Sequence, residues 1–431
     1  MKPGVVTFLL LLSITSSLAQ VRNIKLDEQQ GDAALREPSI AINPGNPLNI
    51  VAAAMDNVYV TKDGGITWQK SRVSSSFGVD GDGTLVADGG GTFYFFHSSE
   101  RSKVSALADG EKGDRIVLQR SNDGGLTWDD GLSIGLNAQK EQRRPRAVID
   151  SKGNLTLTWT QFDSYPSNDL NCQSTVMMSA SRNGSKWSDP VVVSQTPGNC
   201  SGKDSTNLGA MPAVTFDGKE FVAWAVNNKI YLDRSFDGNL WLSNDIGIMD
   251  HRGVAGFNIP GHTYANGLPV FMTDRSKTGT RGYLFLVWAD QRAGKDNTNV
   301  WFSRSTNYGD NWSTPLNIGI HMKNHQYMPA MTIDQTTGFI YVAFYDRGAY
   351  DDLQTDVVLA WSTDGGNTFK NATISEAPFT PDTGVSLGDH IHISAHKGII
   401  APVWTRIDNG KASVWTSVIK HADLEALSSK K

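Results

Sequence analysis

The sequence has little of several features that define common protein classes. Charged residues make up only 19% of its 431 residues, and the formal net charge is −5 without any block of lysine or arginine. Nucleic acid and anionic membranes are therefore not expected as partners. After the N-terminal segment, no apolar run is long enough to span a bilayer, so we expect no transmembrane segment in the mature chain.

Glycine and aromatic residues are abundant instead. The chain contains 42 glycines and 12 tryptophans, and 39% of its residues are hydrophobic. This apolar content is too high for a disordered protein, and glycine at this frequency interrupts the helices that a helical bundle needs. The length alone would permit two or three domains, although closed β folds often exceed the usual domain size.

The N-terminal segment has the features of an export signal. Lys2 supplies a positive charge, residues 5–14 form an apolar run, and residues 17–19 include the small side chains that a signal peptidase accepts. We expect a signal peptide over residues 1–19 and one domain over residues 20–431. No cysteine follows the cleavage site, so a lipid anchor is not expected and the mature protein is predicted to be secreted or periplasmic.

A short motif of the general form Ser-x-Asp-Gly-Gly-x-Thr-Trp recurs in six full or partial copies. The Asp or Asn at its third position can accept hydrogen bonds from turn amides, and its glycines tolerate positive φ. We expect each copy to form a β-hairpin turn, which we name a box turn, whose aromatic residue packs between neighbouring sheets. The six box turns are residues 61–68, 121–128, 181–187, 235–241, 305–312 and 362–369.

Three strand-like segments precede each box turn, and the first of them often begins with x-Pro. Counting these triplets predicts seven units, since a seventh triplet follows the last box turn; six blades would result if one triplet were misread. The seventh unit lacks a fourth strand, which we expect residues 21–26 to supply, closing the ring. The units begin near Pro38, Gly83, Pro145, Pro212, Leu268, Pro329 and His390.

The repeats resemble the Asp-box (BNR) repeat of sialidase-like β-propellers. The mature chain is similar to exported members of this group that carry the label exo-alpha-sialidase or glycosyl hydrolase. The resemblance implies an all-β propeller of four-stranded blades, with the Asp boxes remote from the active site. Similar stretches are Gly267-Leu-Pro-Val, Val287-Trp-Ala-Asp290-Gln-Arg292, Phe344-Tyr-Asp346-Arg347 and Leu387-Gly-Asp389.

Both cysteines lie in the exported part of the chain, where an oxidising compartment favours a disulfide. Cys172 opens the third strand of the third unit, and Cys200 follows its fourth strand. In an antiparallel hairpin that turns at Asn183, these two positions lie opposite each other. We therefore predict a disulfide between Cys172 and Cys200.

The face opposite the box turns must carry the ends of the second strands and the starts of the first strands. We expect a ring of charged side chains there, around the mouth of the central channel. Guanidinium groups suit carboxylate or sulfate ligands, and carboxylates can transfer protons, although such residues can also simply pair between blades. The candidate catalytic residues are Asp56, Asp290 and Asp346, and the candidate ligand-binding residues are Arg36, Arg143, Arg292, Arg347, Tyr327 and His390. The same ring includes Asp82, His262, His325 and Asp389.

The resemblance to sialidases implies three arginines on the substrate carboxylate, a Tyr/Glu nucleophile pair and an Asp acid/base. Arg36, in Arg36-Glu-Pro38, matches the strand start of the first arginine except at its middle residue. Arg143, Arg292 or Arg347 would complete the trio. The chain departs from the pattern because it has seven predicted units rather than six, because no arginine adjoins Asp56, and because no Glu pairs clearly with a Tyr.

Three functions fit these residues, and the sequence favours the first of them, with a binding propeller as the alternative and a lyase as the third. A glycoside hydrolase on acidic or complex glycans would use Asp56, Asp290 or Asp346 as acid or base, and carboxylates about 5–10 Å apart would favour it. A polysaccharide lyase would neutralise a uronate with an arginine and remove its C5 proton, with Tyr264, Tyr327 or His390 as the base; a cluster of His, Tyr and Arg would favour it. A non-catalytic propeller that binds glycan or protein would show charges paired between blades.

The sequence requires no cofactor and predicts no metal site. Asp80-Gly-Asp82-Gly lacks the later ligands of a calcium loop and is expected to be a plain turn. His390, His392 and His396 lack the further spaced ligands of a zinc site. We expect a monomer whose partner is a glycan or glycoconjugate.

Overall fold

The computed structural model describes residues 21–31, 35–100, 113–237, 241, 244–253, 256–262, 265–321 and 323–428. The predicted signal peptide at 1–19 and Tyr264 lie outside the described residues. The described strands form seven antiparallel sheets with an all-β architecture, which confirms the predicted seven-bladed propeller of four-stranded blades. Six blades use four consecutive strands, from the inner strand at the channel to the outer strand, whereas the sheet of blade 7 has five strands and includes the N-terminal strand.

The first three blades take their strands from the N-terminal half of the chain, after an initial strand β1 (Ile24–Glu28). Blade 1 contains β2 (Ser39–Ile42), β3 (Ile50–Ala54), β4 (Asn57–Thr61) and β5 (Gln69–Arg72). Blade 2 contains β6 (Thr84–Ala87), β7 (Phe93–Ser98), β8 (Ile116–Ser121) and β9 (Leu132–Ile134). Blade 3 contains β10 (Glu141–Ile149), β11 (Leu155–Phe162), β12 (Ser174–Ser181) and β13 (Val191–Val192).

The other blades continue in the same order. Blade 4 contains β14 (Leu208–Val214), β15 (Glu220–Val226), β16 (Lys229–Ser235) and β17 (Ile246–Asp250). Blade 5 contains β18 (Val270–Thr273), β19 (Leu284–Asp290), β20 (Asn299–Ser305) and β21 (Leu316–Asn317). Blade 6 contains β22 (Gln326–Asp334), β23 (Phe339–Asp346), β24 (Asp356–Ser362) and β25 (Lys370–Thr373). Blade 7 contains β26 (His392–His396), β27 (Ile399–Asp408), β28 (Lys411–Thr416) and β29 (Ile419–Lys420), and helix α1 (His421–Ser428) follows.

Blade 7 is completed by the N-terminal strand, as predicted. β1 pairs with β28 in antiparallel register, with Ile24 opposite Thr416. The strand begins and ends about two residues later than the predicted span of 21–26. The side-chain amide of Asn23 also donates to the backbone oxygen of Ile374 at 2.8 Å, which links the strand to blade 6. The ring is therefore closed by pairing strands from the two ends of the chain, and β1 covers the outer edge of β28.

Several inner strands start earlier than the predicted x-Pro positions. β10, β14 and β22 include Pro145, Pro212 and Pro329 within the strand, and each has a shift of register at or just before its proline. Proline cannot donate to a ladder, so a bulge in an edge strand accommodates it. Arg144 and Met328, which precede two of these prolines, have φ of 58° and 51°. These bulges lie at the starts of inner strands, on the face opposite the box turns.

The box turns have the predicted hydrogen bonds. Oδ2 of Asp63 accepts a hydrogen bond from the Thr67 hydroxyl at 2.6 Å, and its Oδ1 accepts from the Thr67 amide at 2.9 Å and from the Thr61 hydroxyl at 2.7 Å. These bonds lower the pKa of Asp63 to about 2, and the largest effect comes from the Thr67 hydroxyl. Asp123 and Asp364 accept the same set of bonds in blades 2 and 6.

Each box turn packs onto the preceding blade. A Cβ added at Gly125, in the box turn of blade 2, would clash with Val51 of blade 1, and one added at Gly366 would clash with Phe302 of blade 5. Among the described residues, six cores between adjacent blades include a box-turn aromatic residue. The core between blades 6 and 7 contains Leu424 of α1 instead. The helix therefore takes the place of the missing seventh box turn.

The predicted disulfide is present. Cys172 and Cys200 are bonded, with their Cα atoms 5.6 Å apart and a separation of 28 positions in the sequence. The amide of Ser167 donates to the backbone oxygen of Cys200 at 2.9 Å. The disulfide thus connects the loop after β11 to the segment that leads from blade 3 to blade 4.

The packing of the box turns predicts different costs for two Gly→Ala substitutions. Gly125 and Gly153 both have positive φ, at 97° and 83°, but a Cβ at Gly153 would have no neighbour within 4 Å. We expect Gly153→Ala to lower the free energy of unfolding by about 1–2 kcal/mol, because of backbone strain alone. Gly125→Ala should cost about 1–3 kcal/mol more, because Val51 must move. Urea unfolding of both variants measures the difference, and equal costs would contradict packing between blades as the role of this glycine.

Candidate functional site

The three candidate catalytic carboxylates belong to blades 1, 5 and 6, and each has its own partner. Asp56 accepts a hydrogen bond at 3.0 Å from Nε of Arg72, on the outer strand of blade 1. Asp290 is fully buried and accepts bonds from Arg292 Nε at 2.9 Å and from Trp288 Nε1 at 3.0 Å. These two carboxylates therefore hold their own blades together.

Asp346 differs from the other two carboxylates. Its Oδ1 accepts a hydrogen bond from the Gly348 amide at 2.5 Å, and its Oδ2 lies 3.1 Å from Nδ1 of the half-buried His321. Burial raises the pKa of Asp346 above its ordinary value. A raised pKa is the direction that a general acid requires.

The candidate arginines occupy separate surroundings. Arg36 lies 3.5 Å from the Glu37 carboxylate with its side chain 37% exposed. The guanidinium of Arg143 stacks on the ring of Tyr165, 4.2 Å from its centroid. Arg292 pairs with Asp290 in its own blade. These three candidate arginines therefore each contact a different neighbouring side chain.

Ion pairs between blades cross the mouth of the channel. Arg144 of blade 3 pairs with Asp389 of blade 7 at 2.6 Å. Arg146 lies 3.4 Å from Asp82 of blade 2 and 3.4 Å from Nδ1 of His390. Burial holds the pKa of His390 well below its ordinary value, and Arg146 adds to this effect. His390 is therefore a neutral side chain within a charged network that links three blades.

The structure brings two of the predicted ligand-binding residues together with a histidine. Nε2 of His262 lies 2.5 Å from the hydroxyl oxygen of Tyr327, and the guanidinium carbon of Arg347 lies 5.6 Å from the centroid of the Tyr327 ring. Tyr327 and Arg347 are almost fully buried, whereas His262 is half-buried. We name these three residues the His–Tyr–Arg cluster.

Arg347 keeps one donor group available in this cluster. Its Nη1 donates to the backbone oxygen of Pro260 at 2.6 Å, and its Nε donates to the Thr355 hydroxyl at 3.1 Å. Its Nη2 is buried and has no hydrogen-bond partner among the described residues. A buried guanidinium nitrogen without an acceptor is costly, so this atom marks a position where an anionic ligand would be stabilised.

Irregular backbone places each side chain of the cluster. Tyr327 lies at the bulge of β22, and Arg347 directly follows β23. His262 comes from the connection between blades 4 and 5, which reaches over blade 6 because Phe257 and Ile259 pack into the core between blades 6 and 7. This connection makes the cluster possible.

A hydrogen bond joins the cluster to the channel mouth. The side-chain amide of Asn266 donates to the backbone oxygen of Asp389 at 2.9 Å. Asn266 lies in the same connection as His262, and Asp389 is the partner of Arg144. This hydrogen bond therefore links the connection that carries His262 to the ion pair of Arg144 and Asp389.

Electrostatics keep the histidines of this region neutral. Burial lowers the pKa of His262 to about 3, and the charge of Arg347 acts in the same direction. Burial also lowers the pKa of His325, whose Nδ1 lies 3.1 Å from the Thr298 hydroxyl. Burial raises the pKa of Tyr327, although Arg347 opposes the shift. At neutral pH the cluster therefore holds a neutral imidazole, a protonated phenol and a cation.

Other features of the chain lie away from the cluster. A cavity of about 410 Å³ lies on the opposite side of the molecule, between β17 and the box turn of blade 5, with Trp312 in its wall. No helix in the described part of the chain is long and apolar enough to cross a membrane. Within the same residues, His, Cys, Asp and Glu form no group of three or more that could hold a metal ion.

The depressed pKa of His262 predicts a loss of stability in acid. Below the ordinary pKa of 6.5, the unfolded chain takes up a proton that His262 does not take up in the folded protein until about pH 3. The free energy of unfolding should therefore fall with decreasing pH, by about 1.4 kcal/mol per pH unit for this residue. Urea unfolding at several pH values between about 7 and 4 gives the free energy of unfolding as a function of pH. In His262→Gln this free energy should fall less steeply with decreasing pH than in the wild type, by the contribution of one proton. Identical slopes would contradict the buried, neutral state of His262.

Comparison with known proteins yields structural matches alone. No protein-family model matches the chain, and no curated protein sequence matches it. An ulvan lyase from a new family of polysaccharide lyase, bound to -[GlcA(1-4)Rha3S]-, has a TM-score of 0.54 at 12% identity, over 94% of this chain and 99% of its own.

Two further solved structures are similar over most of the chain. A protein of unknown function from Dyadobacter fermentans DSM 18053 has a TM-score of 0.52 at 10% identity, over 92% of this chain and 99% of its own. A variant of NanB sialidase from Streptococcus pneumoniae has a TM-score of 0.50 at 9% identity, over 79% of this chain and 68% of its own. At these identities the similarity shows a shared propeller fold.

Proposed function

We propose that the protein is an exported enzyme that binds an acidic polysaccharide at the His–Tyr–Arg cluster and cleaves it by β-elimination. The observation that carries the proposal is the hydrogen-bonded pair of His262 and Tyr327, 2.5 Å apart, beside the available Nη2 of Arg347. Of the three functions that the sequence suggests, the lyase is the one for which a cluster of these residue types is the expected arrangement.

The residues can divide the reaction between them. Arg347 would pair with the carboxylate of a uronate, which makes the proton on its C5 atom more acidic. With a hydrogen on Nε2, His262 donates to the Tyr327 oxygen and presents the lone pair of Nδ1 as the base. His262 would take the C5 proton, the bond between C4 and its oxygen would break, and a C4–C5 double bond would form. The protonated His262 would then return the proton to the leaving oxygen, so Tyr327 acts as a positioning residue.

Hydrolysis by a sialidase-like glycoside hydrolase is a second candidate, because one observation favours it. Burial raises the pKa of Asp346, as a general acid requires, and this carboxyl group lies on the same blade as Arg347. The carboxylates of Asp56 and Asp290 are held by Arg72 and Arg292, and so provide less support for hydrolysis.

The comparisons support a glycan ligand in this proposal. The ulvan lyase is bound to a chain that contains glucuronate, and the pneumococcal protein is a sialidase. The box turns and the fold support membership of the sialidase-like Asp-box group. The disulfide and the signal-like N-terminal segment support export, since disulfides persist in oxidising compartments. We propose a monomer.

A product assay tests this function. The purified mature chain, starting at Gln20, would be incubated with glucuronate-containing polysaccharides and with a sialoside, while ultraviolet absorbance of the unsaturated product and reducing ends are followed together. We expect both signals to rise on a glucuronate polymer. His262→Ala should lower kcat by about 10²–10⁴-fold, because the base is lost. Tyr327→Phe should lower kcat with little change in KM, because the substrate-facing side chains remain.

Tyr59→Phe is the matched control for folding. It removes the buried hydroxyl of Tyr59 in blade 1, which donates to Asp27 at 2.7 Å. This variant should leave kcat unchanged. Reducing ends without absorbance would support hydrolysis and overturn the elimination. Binding without either signal would leave a glycan-binding propeller without catalysis.

A further inference from the structure

Two aspartates face each other across the outer strands of blade 4. β16 and β17 pair in antiparallel register, with Tyr231 opposite Gly247 and Leu232 opposite Ile246. The next position of this register places Asp233 opposite Asp245. Side chains directly opposite in such a pair have Cβ atoms about 4.5–5.5 Å apart, and like charges at these positions destabilise a sheet.

Each of these carboxylates has one satisfied and one unsatisfied oxygen. Asp233 is fully buried, and its Oδ1 accepts a hydrogen bond from the Arg234 amide at 2.7 Å. Asp245 Oδ2 accepts bonds from the amides of Gln195 at 3.0 Å and Thr196 at 3.4 Å. Oδ2 of Asp233 and Oδ1 of Asp245 are buried and have no hydrogen-bond donor among the residues that the structure describes. The two available oxygens come from directly opposed side chains.

The other blades show that this position does not require a carboxylate. The residue two positions before the first residue of the box turn is Ser179 in blade 3 and Ser303 in blade 5. Their hydroxyls donate to the backbone oxygens of Ser188 at 2.8 Å and Ser313 at 2.7 Å. An ionised carboxylate has no hydrogen to donate, so Asp233 cannot make the bond that serine makes at the same place in the repeat.

The charges around the pair compensate it only in part, because Arg234 opposes the pKa shift of Asp233 without cancelling it. The nearest arginine in the sequence, Arg234, pairs through its Nη1 with Asp310 of blade 5 at 2.7 Å. Burial raises the pKa of Asp233 to about 6, and the charge of Asp245 adds to this shift. Burial raises the pKa of Asp245 as well. When both carboxylates are ionised, a positive charge between their two available oxygens would stabilise the pair.

We propose that Asp233 and Asp245 bind a hard divalent cation, of the Ca²⁺ or Mg²⁺ class, between β16 and β17. Carboxylate oxygens are the preferred ligands of these ions, and Mg²⁺ in particular is bound through one or two carboxylates while it keeps several waters. The cation would tie the outer edge of blade 4 to blade 3, because Asp245 also accepts the amides of Gln195 and Thr196. The site lies apart from the His–Tyr–Arg cluster and is independent of the proposed reaction.

Thermal unfolding of the mature chain tests this site. The protein would be freed of metal with a chelator and titrated with CaCl₂, and separately with MgCl₂, at neutral pH. We expect Tm to rise by a few degrees as the cation saturates one site, with calorimetry giving a stoichiometry of one. Asp233→Ser, which introduces the residue of blades 3 and 5, should fold and should abolish the response.

Asp129→Ser serves as the matched control, because Asp129 is another aspartate beside a box turn, where it pairs with Arg120 at 2.9 Å. This variant should keep the response to cation. A wild-type Tm that is insensitive to both ions would overturn the proposal. A second contrary outcome is a wild-type Tm that rises as the pH falls from about 8 to 5, with the rise lost in Asp233→Ser. That result would show that a proton shared by the two carboxylates, and not a cation, neutralises the pair.

Discussion

The contact between each box turn and the preceding blade is the constraint on which the rest of the structure depends. The glycines of the box turns lie so close to the neighbouring blade that a Cβ would clash, as at Gly125 and Gly366. The aromatic residue that follows fills the core between the two sheets. Where the last box turn is missing, Leu424 of α1 fills the corresponding core. Because this face is committed to packing, the longest connections between strands lie on the other face.

Those longer connections create the candidate site. The connection between blades 4 and 5 packs Phe257 and Ile259 into the core between blades 6 and 7, and so carries His262 to Tyr327. The same packing buries the cluster, which explains why its imidazole stays neutral beside Arg347. The apolar packing between blades 6 and 7 and the placement of His262 therefore both depend on the connection between blades 4 and 5. A change in this connection would alter both.

The fold was predictable from the sequence because a local motif repeats, and each copy determines its own turn. The closure by β1 and the disulfide between Cys172 and Cys200 followed from the strand count that the repeats set. The site was less predictable. Asp290 ends its strand and Arg292 lies two residues later, and the sequence could not show that these two candidate residues pair with each other. The contact between His262 and Tyr327 depends on a connection that crosses to blade 6. The pairing of Asp233 with Asp245 depends on the register of β16 and β17.

Hydrogen exchange with and without a bound acidic oligosaccharide tests most directly the claim that the ligand site lies opposite the box turns. A glucuronate-containing oligosaccharide would be added to the His262→Ala variant, so that it is bound without being cleaved. With the oligosaccharide bound, we expect slower amide exchange in peptides that cover 256–262 and 347–355, and no change in the box turns. Protection confined to the box turns, or to the cavity beside Trp312, would contradict it.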